Sequence, residues 1–271
     1  MARTGKAARQ LIDRLARPGD AEVLLGELAL AGLPGMVLTP ASGRGLPAVA
    51  FGHGWMQPLR RYKNFLRHLA SWGLVALAPD TQRGPLGSAR ALAADLSTAL
   101  DIGAGVRLGT GQISIDPDRL AVAGHGTGAN AAVLAAAADR RVRAVTLLAP
   151  SQTYPPASTA AESVSCPCLM LVAERDRVAP AIAHAEPIAF GWAGPITVRT
   201  LRKASHIGFL SGYHWTDTLF DGKPEHATER STLALTTAFL LQQLTGTKEY
   251  DSLLADELRE APLRPVLQPT A

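Results

Sequence analysis

The stretch DRLAVAGHGTGANAAVLAAA, residues 118–137, contains the feature that decides the fold. Its first half is a short apolar run typical of a buried strand, and its second half is an alanine-rich run typical of a helix. Between them lies Gly-His-Gly-Thr-Gly, residues 124–128. A strand, a turn of the form Gly-x-nucleophile-x-Gly and a helix form a nucleophile elbow, whose middle residue is normally a serine, cysteine or aspartate. Here the middle residue is Gly126, so the sequence predicts either a different turn or an elbow without its nucleophile.

Short apolar runs alternate with helical patterns along most of the chain. The apolar runs are LPAVAFGHGW, LVALAPD, DRLAVAGHG, VRAVTLLAP, CPCLMLVAERD and PITVRTLRKASH. Such alternation is typical of a parallel sheet covered on both faces. We therefore predict an α/β fold with a mostly parallel central sheet, helices on both faces and an antiparallel N-terminal hairpin. The hairpin is AEVLLGELALAGLPGMVLTPA, with a Leu-Pro-Gly turn.

The 271 residues are enough for one large α/β domain, which we place at residues 21–247. Residues 1–20 are predicted to form a basic amphipathic helix, with Leu11 and Leu15 on its apolar side. Such a helix either packs on the domain or contacts a membrane surface or an acidic partner. Residues 248–271 end in the proline-rich APLRPVLQPTA, for which we expect a poorly ordered tail or an arm lying on the surface.

Composition and charge exclude several classes of protein. Hydrophobic residues make up 47% of the chain, the net charge is only +4, and no apolar run approaches the roughly 18 residues of a membrane span. The basic residues are scattered without an aromatic platform, so nothing predicts nucleic-acid binding. No apolar signal segment follows the N-terminal basic residues, and cysteines are sparse, which predicts a cytoplasmic protein. Cys166 and Cys168 are expected to be small buried thiols, and we expect no metal and no organic cofactor.

Residues that could carry chemistry follow three further predicted strands. Asp176 follows CLMLVAERD, His206 follows PITVRTLRK, and His53-Gly54-Trp55 ends AVAFGHGW. The carboxyl ends of parallel strands meet at one edge of a sheet, and ligands bind there. The chain order of nucleophile position, acid and histidine is also the order used by the α/β-hydrolase fold.

Four segments of the chain resemble the α/β-hydrolases of the dienelactone-hydrolase and cutinase-like polyester-hydrolase group, over roughly residues 22–245. They are RYKNFLRHLASWGLVALAPDT after the oxyanion turn, DPDRLAVAGHGTG at the elbow, VAERDRVAP at the acid loop and ASHIGF at the histidine loop. Each segment alone is a weak signal, but together, in this order, they are specific. The resemblance implies an α/β-hydrolase fold and an esterase-like ancestry.

By this resemblance Asp176 is the acid, His206 is the base, and the backbone amides of Trp55 and Thr127 are the oxyanion donors. Trp55 would also offer its ring to the substrate cleft. His125 occupies a variable elbow position, where it either lines the cleft or packs in the interior. His53 is expected to be structural, bonding to backbone in its own turn.

Gly126 departs from the group's pattern, which has serine at this position. Glycine adopts the positive φ of an elbow with little steric penalty, but it supplies no Oγ. Thr127 and Ser205 are both poorly placed to replace the missing nucleophile. Three hypotheses follow: an enzyme that uses the His206–Asp176 dyad directly on a small apolar ester or lactone, a non-catalytic protein that binds a ligand or a partner, and an ordinary esterase whose serine has been replaced.

Overall fold

The computed structural model describes residues 2–218 and 223–266. Within these residues the strands are β1 (Val23–Glu27), β2 (Gly35–Pro40), β3 (Gly43–Gly52), β4 (Val75–Pro79), β5 (Ile113–His125), β6 (Val142–Leu148), β7 (Cys168–Ala173) and β8 (Ile196–Leu201). They form one sheet in the order β1-β2-β4-β3-β5-β6-β7-β8. β1 pairs antiparallel with β2 and β2 with β4, while all later pairs are parallel. The predicted mostly parallel sheet with antiparallel N-terminal strands is therefore confirmed.

Helices cover both faces of this sheet, as predicted. They are α1 (Ala2–Leu15), α2 (Lys63–Ser71), α3 (Ala89–Gly105), α4 (Thr127–Ala138), α5 (Ala157–Ala161), α6 (Ala185–Gly191), α7 (His226–Thr245) and α8 (Asp251–Ala255). One core packs α1, α2, α7 and α8 against the sheet. The other core packs α3, α4, α5 and α6 against the opposite face. Alternate residues of β5 serve the two cores, with Ala121 on the first side and Val122 on the second.

Two local predictions need correction. The connection between β1 and β2 is longer than the expected Leu-Pro-Gly turn, because it includes a 3₁₀ turn at Leu28–Ala31, and Gly35 already belongs to β2. The segment AIAHAEPIAFGWAG was predicted to be a helix broken near Pro187. Instead α6 begins only at Ala185, so that Pro187 lies in its first turn, where a missing N–H costs little.

The N-terminal helix α1 packs on the domain through its apolar side. Ile12 is only 5% exposed and Leu15 is fully buried in the core that also contains α7. Arg14 pairs with Glu249 across this contact. The side that a membrane surface would contact is therefore already occupied by the protein, which favours the packing alternative. In the described part of the chain no helix is both long and apolar enough to cross a bilayer.

The C-terminal segment forms an arm that lies along β8. The Thr200 amide donates to the Pro262 carbonyl at 3.0 Å, and the Arg264 amide donates to the Val198 carbonyl at 2.8 Å. Arg199 is fully buried, and its guanidinium donates to the carbonyls at the end of α8 and beyond it, namely those of Leu253, Leu254, Asp256 and Ala261. Of the two alternatives for the proline-rich segment, residues 261–266 form the arm on the surface. The remainder of the predicted tail, residues 267–271, lies outside the described residues.

Candidate active site

Gly126 is the single residue between the end of β5 and the start of α4. Its φ of 56° and ψ of −119° lie in a region that a residue with a Cβ enters only under strain. Its amide donates to the Leu148 carbonyl at 3.0 Å, and its carbonyl accepts from the Ser151 amide at 3.0 Å. The turn is thus held to the end of β6 on both sides, in the strand–turn–helix geometry that presents a nucleophile in hydrolases.

Gly128, the third glycine of the turn, is required by close packing. A Cβ atom on Gly128 would lie 2.1 Å from the Gly52 carbonyl oxygen, which is far inside van der Waals contact. The start of α4 therefore approaches the end of β3, which leads into His53, Gly54 and Trp55. A Cβ atom on Gly124 would likewise lie 2.1 Å from the Gly128 carbonyl oxygen. The pattern Gly-x-Gly-x-Gly of the opening stretch is therefore explained by one strained turn at Gly126 and two close approaches.

His206 and Asp176 form a buried hydrogen-bonded pair. His206 Nδ1 lies 2.8 Å from Asp176 Oδ2, and the two residues are 8% and 9% exposed. The other carboxylate oxygen accepts from the amides of Val178 at 3.0 Å and Ala179 at 2.7 Å, which fixes the orientation of Asp176. Because an ionised carboxylate only accepts, the neutral imidazole carries its proton on Nδ1 and has a lone pair on Nε2.

The Nε2 atom of His206 points at Gly126. A Cβ atom at position 126 would lie 3.1 Å from Nε2 and 3.5 Å from Cε1. The structure therefore brings together the three residues that the sequence selected as nucleophile position, acid and base. Their roles in a reaction stay predictions.

A cleft of about 160 Å³ lies above this pair. It is lined by Gly54, Trp55, Gln57, His125, Thr127, Ser151, Val178 and His206. The predicted oxyanion donors Trp55 and Thr127 thus share the cleft with His206. Thr127 is the first residue of α4, so its N–H has no acceptor within the helix, and the helix dipole adds partial positive charge there. Trp55 is 41% exposed, and its indole Nε1 donates to the Pro85 carbonyl at 3.0 Å.

The two alternatives for His125 are both realised in part. The residue lines the cleft, yet it is only 1% exposed and both ring nitrogens have hydrogen-bond partners. Nδ1 lies 2.9 Å from the Tyr62 hydroxyl, and Nε2 lies 2.9 Å from the His206 carbonyl oxygen. Burial lowers the pKa of His125 well below its usual value, with a smaller contribution in the same direction from His206.

Other residues singled out by the sequence do not line the cleft. His53 contacts the backbone of two segments: Nδ1 lies 2.9 Å from the Gly54 carbonyl oxygen in its own turn, as expected, and Nε2 lies 2.7 Å from the Thr81 carbonyl oxygen after β4. Ser205 donates its hydroxyl to Glu225 at 2.8 Å, so that hydroxyl is turned towards α7. Cys166 and Cys168 are free, and burial raises the pKa of the Cys166 thiol to about 11.

Sequence reasoning missed several residues of the site. Ser151 lines the cleft after β6, and the strand-end argument that selected Asp176 applies to it equally. The sequence around Tyr62 shows only the helical spacing of a core residue, although its hydroxyl is hydrogen-bonded to both the Gly54 amide and His125. Gln57 lines the cleft and accepts from Arg61, but no local motif marks either residue.

The sheet topology, with the strand–turn–helix at residues 124–128, defines an α/β-hydrolase fold. The chain belongs to the PET hydrolase-like family, whose model matches residues 34–207. The matched region starts before β2, includes the elbow and Asp176, and ends just after His206. No curated protein matches the chain.

Proposed function

We propose that the protein hydrolyses a small carboxylic ester or lactone without forming an acyl-enzyme. In this mechanism His206 and Asp176 act as a general-base dyad on a water molecule in the space beside Gly126. The observation that carries the proposal is the position of Nε2, 3.1 Å from where a side chain at residue 126 would begin. A base aimed at that point has the geometry to take a proton from a nucleophile there.

The reaction would proceed in two steps, formation and collapse of a tetrahedral intermediate. The Nε2 lone pair takes a proton from water while the water oxygen bonds to the ester carbonyl carbon, and the carbonyl π electrons move to oxygen. The amides of Trp55 and Thr127 stabilise that oxyanion. When the oxyanion collapses, the bond to the leaving oxygen breaks and His206 returns the proton to it, which yields an acid and an alcohol from an ester, or one hydroxy acid from a lactone. Asp176 holds the imidazole in the required tautomer and stabilises the imidazolium between the steps.

The expected rate is low. In a serine hydrolase that has lost its nucleophile, the oxyanion hole and binding alone leave roughly 10³–10⁴-fold acceleration over water, and a general base acting on water adds about 10²–10⁴-fold to that. The small cleft suits a small acyl group, since pockets for larger ligands are usually about 300–1,000 Å³.

The test is steady-state hydrolysis of 4-nitrophenyl acetate by the wild-type protein and by His206→Ala. His226→Ala is the matched control, because His226 is an exposed histidine at the start of α7. We expect turnover without an initial burst and no covalent adduct with a fluorophosphonate probe. In His206→Ala only, the rate should fall by about 10²-fold or more, to the level that the oxyanion hole and binding sustain without a base. An equal rate in His206→Ala would overturn the proposal, and saturable binding of an ester analogue with no turnover would establish the binding alternative.

A further inference from the structure

A chain of buried hydrogen bonds passes through His125, the residue before Gly126, and joins the loops that follow β3 and β8. The Gly54 amide donates to the Tyr62 hydroxyl at 2.9 Å. That hydroxyl lies 2.9 Å from His125 Nδ1, and His125 Nε2 lies 2.9 Å from the His206 carbonyl oxygen. Tyr62 and His125 are 2% and 1% exposed. We call this chain, from Gly54 through Tyr62 and His125 to His206, the relay.

The two ends of the relay fix the direction of every bond in it. The Gly54 N–H can only donate, and the His206 carbonyl oxygen can only accept. His125 therefore donates from Nε2, which leaves Nδ1 of the neutral imidazole as an acceptor. The Tyr62 hydroxyl then accepts from Gly54 and donates to Nδ1. Burial supports this assignment, since it lowers the pKa of His125 and raises the pKa of Tyr62, which keeps both groups neutral.

The relay connects the two halves of the candidate site. Gly54 immediately precedes Trp55, the predicted oxyanion donor after β3, and His206 is the predicted base after β8. His125 itself immediately precedes Gly126. A Cβ atom on Gly54 would lie 2.8 Å from His125 Nδ1 and 3.1 Å from the Tyr62 hydroxyl oxygen, so the loop is packed directly against the relay.

We propose that Tyr62 and His125 are positioning residues, which hold the oxyanion turn and the histidine loop at a fixed distance from each other through a single hydrogen-bond pattern. A buried histidine with a purely structural role would be satisfied by hydrogen bonds to any neighbouring polar groups. Here the partners at the two ends are the backbone groups of Gly54 and His206. Both residues adjoin the elbow, since a Cβ atom on Gly126 would lie 3.7 Å from Gly54 Cα and 3.1 Å from His206 Nε2. The functional part of this inference rests on the proposed hydrolysis, whereas the hydrogen-bond pattern does not.

Three variants test the individual hydrogen bonds of the relay. Tyr62→Phe removes the hydroxyl and leaves the Gly54 amide and His125 Nδ1 without that partner. His125→Gln keeps an amide donor within reach of the His206 carbonyl, whereas His125→Asn has too short a side chain to reach it. Phe65→Leu is the control, because Phe65 belongs to the same core and carries no hydrogen-bonding group.

The first measurement needs no activity. ¹⁵N NMR of the full-length protein should find His125 protonated on Nε2 only, between about pH 5 and pH 8, where an ordinary histidine titrates. The Gly54 amide should exchange with solvent at least tenfold faster in Tyr62→Phe and remain unchanged in Phe65→Leu. A proton on Nδ1, a charged His125 at neutral pH or an unchanged Gly54 exchange rate would overturn the relay.

The second measurement tests positioning through the reaction. In Tyr62→Phe we expect kcat to fall by about tenfold to a hundredfold with little change in KM, since a displacement on the order of 1 Å costs that much. His125→Gln should retain more kcat than His125→Asn. If wild-type turnover does not depend on His206, the proposed function fails while the NMR result still decides the relay. If turnover depends on His206 but Tyr62→Phe leaves kcat unchanged, the relay's positioning role fails alone.

Discussion

Replacing Gly126 by serine tests the geometry of the site most directly. The turn fixes where the new Cβ lies, 3.1 Å from His206 Nε2, so a serine Oγ extending from it falls within reach of the base. That separation is tighter than an ordinary carbon contact, and the imidazole must move back by a few tenths of an ångström. Removing the serine of a complete triad costs about 10⁶-fold in kcat, which sets the ceiling of the expected gain. We therefore expect Gly126→Ser to hydrolyse short-chain aryl esters several orders of magnitude faster than wild type.

The same substitution should lower the stability of the fold. At φ 56° and ψ −119° a side chain imposes strain of about 1–3 kcal/mol. The urea midpoint should fall accordingly with an unchanged slope, because the exposed surface on unfolding stays the same. Gly126→Ala is the matched control, since it adds the same Cβ and the same strain without the hydroxyl.

The assays are initial rates on 4-nitrophenyl butyrate, labelling by a fluorophosphonate probe, and urea unfolding. Gly126→Ser should gain rate and label, Gly126→Ala should gain neither, and both should lose similar stability. If Gly126→Ser folds but neither labels nor exceeds the rate of Gly126→Ala, then His206 is not aimed at residue 126 in solution. The cleft would then have diverged beyond the missing hydroxyl, and the binding alternative would replace the catalytic proposal.

Three further predictions concern stability. Burial lowers the pKa of His68 to about 4, so the unfolded chain binds the proton more readily than the folded chain between about pH 6.5 and 4. The contribution of neutral His68 to stability should therefore be fully present above about pH 6.5, and the free energy of unfolding should fall by about 3 kcal/mol as the pH drops towards 4. Urea midpoints at several pH values should decline less steeply for His68→Leu than for the wild type. An equal decline in both proteins would exclude His68 as the cause. Arg61 and Asp217 form a buried bidentate ion pair, with Nη1 2.6 Å from Oδ1 and Nη2 3.0 Å from Oδ2, so Asp217→Ala should cost about 3–5 kcal/mol in urea unfolding. Adding Arg61→Met should recover part of that loss, whereas additive losses would contradict the pairing argument. Finally, Arg199→Met should speed hydrogen exchange in residues 251–264 more than in the central strands, and uniform exchange would show that the arm is held by other contacts.

The architecture was predictable because apolar periodicity and chain order are local signals. Each strand of the parallel region was marked by its own apolar run, and the strand-end rule then placed Asp176 and His206 at one edge of the sheet. The geometry of the pair agrees with that expectation, since the two side chains lie 2.8 Å apart although they are separated by 30 residues in sequence. The position of Gly126 at the elbow was equally predictable, because the neighbouring glycines, the preceding strand and the following helix define the turn.

The contacts that were not predictable are those made across long sequence separations by residues with an ordinary local role. Tyr62 immediately precedes α2 and continues the spacing of its apolar side, and nothing in that spacing reveals a hydroxyl aimed at His125. Arg199 lies in a strand pattern, where an arginine normally indicates a solvent-facing position, and only the arm gives its guanidinium acceptors. Arg61 and Asp217 are 156 residues apart, so no window of sequence contains both. Hydrogen-bond partners of this kind are determined by tertiary packing, and no periodic pattern in the sequence indicates them.

The arm along β8 also bears on how the chain avoids aggregation while it folds. Without the arm, β8 would end the sheet with unpaired amides and carbonyls, a template on which a second chain can add a strand. Pro262 and Pro265 have no N–H to offer an incoming strand, so the arm terminates the ladder instead of extending it. The arm is made only after α7, so during synthesis β8 is complete while its cover is still missing. Chains cut short before Leu253 would keep that edge open and leave the buried Arg199 without its four carbonyl acceptors, which makes truncation products the species most prone to self-association.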